Sequence, residues 1–324
     1  MFSLTLQERN WVTDMNFKKD LRSYRGMTAR NIKVYAKDKM AILLSMLTQI
    51  IVLGLFLIFL KNNYIDAINS NLGGLQNLID SNDIQALVNS WLVAGVIGTS
   101  VVTVALNSLS VMVSDKQERI DYDYNATAVK GSTVVLSYFT GAVINTFITT
   151  SILLSAGLIF LSASGAFSYT AIEILKIYGL VLLGSISAST VLMAFVSFFK
   201  KSSTLSSFGI MISAAIGFVV GAYVPVSQFG ESVQTAVNLV PGSQIAGMMR
   251  NVLMQPAIDN IDKALGGIDN GKFAKSAADL FALKLNILGN SADMNFMMIY
   301  TLAAIAVFLV LNIILFKFSS KHKN

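Results

Sequence analysis

Six uncharged stretches, each long enough to cross a bilayer, constrain this chain more than any other feature. They fall near 40–60, 89–113, 133–161, 177–199, 202–224 and 294–316, and no Asp, Glu, Lys, Arg or His lies inside them. Each holds at least 21 residues. At 1.5 Å per residue that covers about 31 Å, matching a hydrocarbon core of roughly 30 Å. One such run fits the buried helix of a large soluble protein, but six in 324 residues predict membrane spans. Composition agrees, because 13% of residues are charged against about 25% in a soluble domain, and the mean hydropathy is +0.63. A soluble enzyme, a disordered chain and a disulfide-stapled domain are excluded, the last because there is no Cys. With a single His, little material is left for a metal site or a His-based triad. The chain reads as an all-α integral membrane protein.

Cations in the connections predict its orientation. Residues 1–39 carry nine Lys and Arg, the 114–132 loop three, the 200–205 turn two and the tail after 316 three, which is seventeen of 24. The other seven are spread over longer connections: Lys61, Lys176 and five in 225–293. Both termini are therefore expected in the cytoplasm of a multi-pass cell-membrane protein. The first 39 residues lack the apolar core of a cleavable signal peptide.

Residues 1–39 form the N-terminal unit, and 40–324 a single six-span domain. From Asp20 to Lys39, Leu21, Tyr24, Met27, Thr28, Asn31, Ile32 and Tyr35 recur at helical spacing with cations on the other faces. That is a basic amphipathic elbow helix, suited either to anionic lipid or to a cytoplasmic partner. The 114–132 loop, SDKQERIDYDYNATAVKGS, is far denser in charge than a hairpin requires, and suggests docking of something soluble. External segment 61–88 shows one apolar helical face (Ile65, Ile68, Leu72, Leu75, Ile79), softened at Gly73–Gly74. External segment 225–293 holds every proline, Pro225, Pro241 and Pro256, and its first part is too apolar for a free loop. Short re-entrant helices between spans five and six are predicted there, a conformation allowed only when packed against protein or water.

The second span carries a polar stripe, Thr99, Thr103, Asn107, Ser110 and Ser114, and the fifth a ridge of small residues, Gly209, Ser213, Gly217 and Gly221. Both suit packing within one subunit; equally they suit a subunit interface or a translocation wall. The nearest approach to a nucleotide motif, Gly266 to Lys272, is followed by Phe273 where Ser or Thr would hold magnesium. No ionisable residue lies within a span to bind a driving ion. Uphill work must then come from another polypeptide.

The run GAYVPVSQFGESVQ…LVPGSQIAGMMR at 221–250, with Gly221, Pro225, Pro241 and Arg250, is similar to the membrane subunits of type-2 ABC exporters, the ABC-2 permeases. The basic elbow resembles that family's elbow, and ERIDYDYNATAVKGS resembles its coupling helix. Gly230 stands where many members carry a second proline, and 257–293 is longer than expected. The resemblance implies a bacterial exporter of two permease copies, identical or different, and two separate ATP-binding cassette subunits. ATP and magnesium would sit on those subunits, this chain binding no cofactor and having no catalytic role of its own. Asp115, Lys116, Glu118, Arg119, Tyr122 and Asn125 would dock the ATPase. Thr99, Thr103, Asn107, Gly209, Ser213, Gly217 and Gly221 would line the substrate path or the dimer interface. The apolar, hydroxyl-dotted spans favour an amphipathic drug, peptide or lipid-like substrate. Membrane lipid is an expected partner and nucleic acid is not. A secondary carrier or channel, or a non-transporting scaffold, is the alternative, and a neighbouring reading frame encoding a Walker-A ATPase would separate them.

Overall fold

The computed structural model describes residues 6–72, 74–127, 129–164 and 169–321. A first helix, α1 (Leu6–Lys37), is followed by α2 (Lys39–Leu55), which passes through a π-helical turn at Phe56–Leu60 into α3 (Lys61–Asn71). Next come α4 (Ser81–Ser108), α5 (Ser110–Gln117), α6 (Ile120–Asn125), α7 (Gly131–Ala163), α8 (Ala171–Val196) and α9 (Ser202–Val219). Four shorter helices follow: α10 (Glu231–Asn238), α11 (Pro241–Leu253), α12 (Gln255–Leu265) and α13 (Lys272–Leu280). A two-stranded antiparallel hairpin, β1 (Leu285–Ile287) and β2 (Asn290–Ala292), leads into α14 (Met294–Lys321).

Among the described residues, six helical stretches are long and apolar enough to cross a membrane: 39–70, 81–117, 131–163, 171–196, 202–219 and 294–315. The count matches expectation, but several boundaries move. The first span continues unbroken through the π turn, so the predicted helix at 61–88 begins as its extension. There Ile68, Leu72 and Ile79 are buried, and Ile65 and Leu75 pack against the core. Gly74 takes the left-handed φ of +97° expected of a helix break, while Gly73 lies outside the described residues. The second span starts eight residues before the predicted 89, where Asp80 accepts a hydrogen bond from the Asn82 amide as an N-cap. The all-α expectation omitted the hairpin, whose turn at Leu288–Gly289 has two positive φ values, 52° and 77°.

The helix over the segment predicted as an elbow, α1, differs from the expected extent. Among the described residues it already runs from Leu6, and it stops at Lys37 because Asp38 leaves the helix to cap α2 by accepting from the Ala41 amide. Its recurrent face packs on α7. Thr28, Asn31 and Tyr35 are buried, Tyr24 donates to Thr140 at 2.8 Å, and Asn31 donates to Ser137 at 3.3 Å. Gly141 permits this approach, since a Cβ there would stand 3.1 Å from that of Asn31.

The centre of the bundle is α4 with α11. Twelve of the thirteen residues of α11 are buried. Small residues let it nest: Gly98 of α4 faces Ala246, Gly184 of α8 faces Ile245, and Gly247 faces Met297 of α14. Pro241 opens α11, where the missing N–H has no intrahelical partner to lose.

Candidate functional site

Two features come together beside α9. The first is an open cleft of about 820 Å³ between α2 with its π turn, α4–α5 and α9. Leu47, Ile51, Leu55, Phe59, Leu106, Leu205, Ile210, Phe218 and Tyr223 supply its apolar wall, and no charged side chain lines it. Its polar groups are Thr48, Asn107, Ser110, Ser202, Ser206 and Ser213. Of these, Ser110, Ser202 and Ser206 stand on the turns of α5 and α9 nearest the 114–130 loop, so the cleft is graded from a hydroxyl-bearing end to an aromatic one.

The second feature is the junction where α5 leaves the bundle. Asp115 is buried, its side chain 4% exposed. A carboxylate taken out of water costs several kcal/mol unless its oxygens are satisfied. Here Arg30 of α1 donates both Nη atoms, at 2.5 and 2.7 Å, and the Tyr138 hydroxyl of α7 donates at 2.5 Å. The hydrogen bond to Asp115 pushes the Arg30 guanidinium further toward its charged form, against a smaller opposing effect of its partial burial. Nearby, burial holds the Tyr124 hydroxyl above its ordinary pKa, with Arg30 pulling the other way. Lys116 donates to the Ser197 carbonyl at the end of α8 (2.8 Å), and the Gln117 side-chain oxygen accepts from the Ser202 amide at the start of α9 (2.7 Å). Lys130, just before α7, pairs with Asp20 of α1 at 2.6 Å.

The predicted docking residues therefore divide. Asp115 and Lys116 are committed inward, to α1, α7 and α8. Glu118, Arg119 and Tyr122 are exposed. Arg119 takes a left-handed φ of 62° that turns α5 into α6, and Asn125 is placed by its backbone alone, as the last residue of α6.

The predicted path residues divide as well. Asn107, Gly209 and Ser213 line the cleft. Thr99 and Thr103 are fully buried: Thr99 donates to the Val96 carbonyl, and Thr103 lies 2.9 Å from the Gln49 amide of α2 and 3.3 Å from the Ser45 carbonyl. Thr103 thus joins α4 to α2 inside one chain, while Thr99 bonds within α4. Gly217 is buried against the Tyr223 ring. Gly221 lies beyond α9, at the left-handed residue (φ 68°) of its C-terminal turn, where the Ala222 amide reaches back to the Gly217 carbonyl and the Gly221 amide to Phe218. The four-residue ridge thus ends after three. Pro225 precedes a short 3-10 turn, and Arg250 is fully buried with its Nη2 on the Val220 and Gly221 carbonyls. Arg30, Tyr138 and Gln117 were not foreseen: each is one polar residue among many in its segment, and only tertiary structure pairs them.

A family model described as ABC-2 family transporter protein matches residues 14–316. The chain belongs to the ABC-2 transporter family. It is a multi-pass membrane protein of the permease type, the transport subunit of an ABC transporter, and the family implies association with an ATP-binding cassette subunit. A search among curated proteins found no match.

Proposed function

We propose that this ABC-2 permease is the export subunit for an amphipathic substrate (a drug, a peptide or a lipid-like molecule), powered by a separate ATP-binding subunit. The observation that carries this is the cleft. It is apolar along its wall, uncharged throughout, hydroxyl-bearing at one end, and bordered at that end by the charged 114–130 loop. A molecule with a polar head and a long apolar body matches that gradient, whereas a small ion would find no compensating charge. The cation distribution supports cytoplasmic placement of both termini and of the 114–130 loop, with α10–α13 on the opposite face and α11 re-entrant between the spans. The seven exposed or half-exposed residues of α9 that line the cleft suit coverage by a second permease copy in the cell membrane.

Glu118, Arg119 and Tyr122 would meet the ATPase, and α6 would receive its stroke. Charges on such a rim set partner choice more than fold. The test is to purify the tagged chain from its own membranes. An ATP-binding subunit should accompany it, with vanadate-sensitive hydrolysis that the chain alone lacks. The double reversal Glu118→Lys with Arg119→Glu should release that subunit while membrane insertion is kept. Full recovery of the subunit with both charges reversed would place docking elsewhere.

A further inference from the structure

The helix bordering the cleft is nearly free-standing. Of its eighteen residues only Leu205, Ile216 and Gly217 are buried. On one side lies the 820 Å³ cleft. On the other, a second apolar groove of about 340 Å³ separates Phe208, Ile212, Ala215 and Val219 from α8 and the start of α11. Span helices normally gain their place by packing along their length; α9 does so along a narrow seam only.

Its ends are held quite differently. At the N-terminus the Ser202 amide, one of four that have no intrahelical partner, donates to Gln117 Oε1. At the C-terminus Arg250 reaches out of α11 to the Val220 and Gly221 carbonyls, the end of a helix where a cation is favoured by the macrodipole. Ser243 of α11 adds a hydroxyl 2.7 Å from the Val219 carbonyl. Arg250 is fully buried, and its only partners among the described residues are these carbonyls; Nε and Nη1 make no hydrogen bond there. A buried guanidinium without a carboxylate is a costly way to fill space. Capping the end of α9 gives it a role that packing alone does not.

The N-terminal grip belongs to a junction. Asp115, Lys116 and Gln117 are consecutive, and each binds a different part of the bundle: α1 with α7, the end of α8, and the start of α9. Beyond them Arg119 turns the chain outward into α6. A displacement of α6 therefore reaches α9 through α5, with Gln117 as the hydrogen bond between them, while the far end of α9 is anchored to the buried α11. We propose that Gln117 and Arg250 are the positioning residues of α9, clamping its two ends so that it moves as a lever and alters the cleft when the 114–130 loop is displaced. The transmission step rests on the exporter reading above; the two clamps do not.

Hydrogen exchange on the full chain in nanodiscs tests the clamps without any partner. Gln117→Leu removes the acceptor and should speed exchange of the Ser202–Leu205 amides by about five- to tenfold, while α4 and α7 stay unchanged. Gln117→Glu keeps an acceptor and should restore slow exchange. Arg250→Met should loosen the last turn of α9, and Arg250→Lys should do so less. Unchanged exchange at the α9 start in Gln117→Leu would overturn the N-terminal clamp even if the arginine variants fail to fold. Transmission is read on the complex with its co-purified ATP-binding subunit. The chain has no Cys, so spin labels at Leu47→Cys and Ile210→Cys report the cleft alone. ATP with vanadate should shift their distance distribution in wild type and in Gln117→Glu, but leave it unmoved in Gln117→Leu with the subunit still bound. An equal shift in Gln117→Leu would overturn the lever. No ATP-binding subunit with wild type would instead overturn the exporter reading and the transmission step, leaving the clamps to be judged by exchange.

Discussion

The second and fifth spans look alike as strings of residues and behave oppositely in the fold. In the most apolar stretch of 81–117, 78% of residues are buried inside the protein; in 202–219 the figure is 17%. Both are uncharged in their cores, dominated by aliphatic residues with several Ser, and long enough for a bilayer. Hydrophobicity specifies entry into lipid but says nothing about which neighbour a face will meet, because lipid tails and Leu side chains are equally apolar. Position decides instead. The second span sets Gly95 and Gly98 directly under Ala222 and Ala246, whereas the fifth carries Gly209 and Ser213 on the open cleft.

Glycine replacements should break this comparison most visibly. Gly98→Leu forces bulk where even a Cβ would sit 2.9 Å from that of Ala246, so misfolding or a loss beyond the usual 1–3 kcal/mol of overpacking is expected. Thermal midpoint and monodisperse yield in detergent measure it. A well-folded Gly98→Leu chain would mean that α4 is no tighter than α9.

The next largest effect belongs to the buried ion pair. Arg30→Met leaves the Asp115 carboxylate with the Tyr138 hydroxyl alone, and should cost about 3 kcal/mol, the lower end for breaking a buried pair because Arg30 keeps a third of its side-chain surface exposed. Combining it with Asp115→Leu should recover part of that loss. A larger loss in the double variant would show that the pair contributes more than its own desolvation.

Much of this was legible in the sequence, and the remainder for identifiable reasons was not. Uncharged runs marked all six spans, and Pro241 and Gly74 punctuated the chain as their restricted or permissive φ values require. The residues from Tyr24 to Tyr35 recur at helical spacing, but the partner of that face was not legible: Tyr24 and Asn31 bond to α7. What escaped was pairing at long range. Asp115 read as one of the docking charges of its loop, because its partners Arg30 and Tyr138 are 85 and 23 residues away. Gly221 continued a four-residue spacing that the helix itself does not continue, since the C-terminal turn reuses glycine for its positive φ. The hairpin at 285–292 is too short to show alternation.

Smaller effects sharpen the contrast. Glu118→Lys with Arg119→Glu should move stability by no more than about 0.5 kcal/mol, both side chains being exposed, while complex recovery falls. Gly209→Leu should be the mildest for the fold. The nearest atom to a Cβ there is Leu106 Cδ2 at 3.7 Å, so the chain should fold with a narrowed cleft and reduced transport. Equal destabilisation by Gly209→Leu and Gly98→Leu would erase the distinction between the two spans.

The central claim is that the bare face of α9 borders a path whose exposure follows the ATP-binding partner. Ser213→Cys, on the cleft wall of a chain otherwise free of Cys, tests it most directly, with Val307→Cys on the exposed surface of α14 as the comparison site. In membranes containing the complex, a membrane-impermeant maleimide should label Ser213→Cys from the cytoplasmic side without nucleotide and lose access with ATP and vanadate, while Val307→Cys stays unlabelled throughout. Equal labelling of Ser213→Cys in both states, or none in either, would contradict the account.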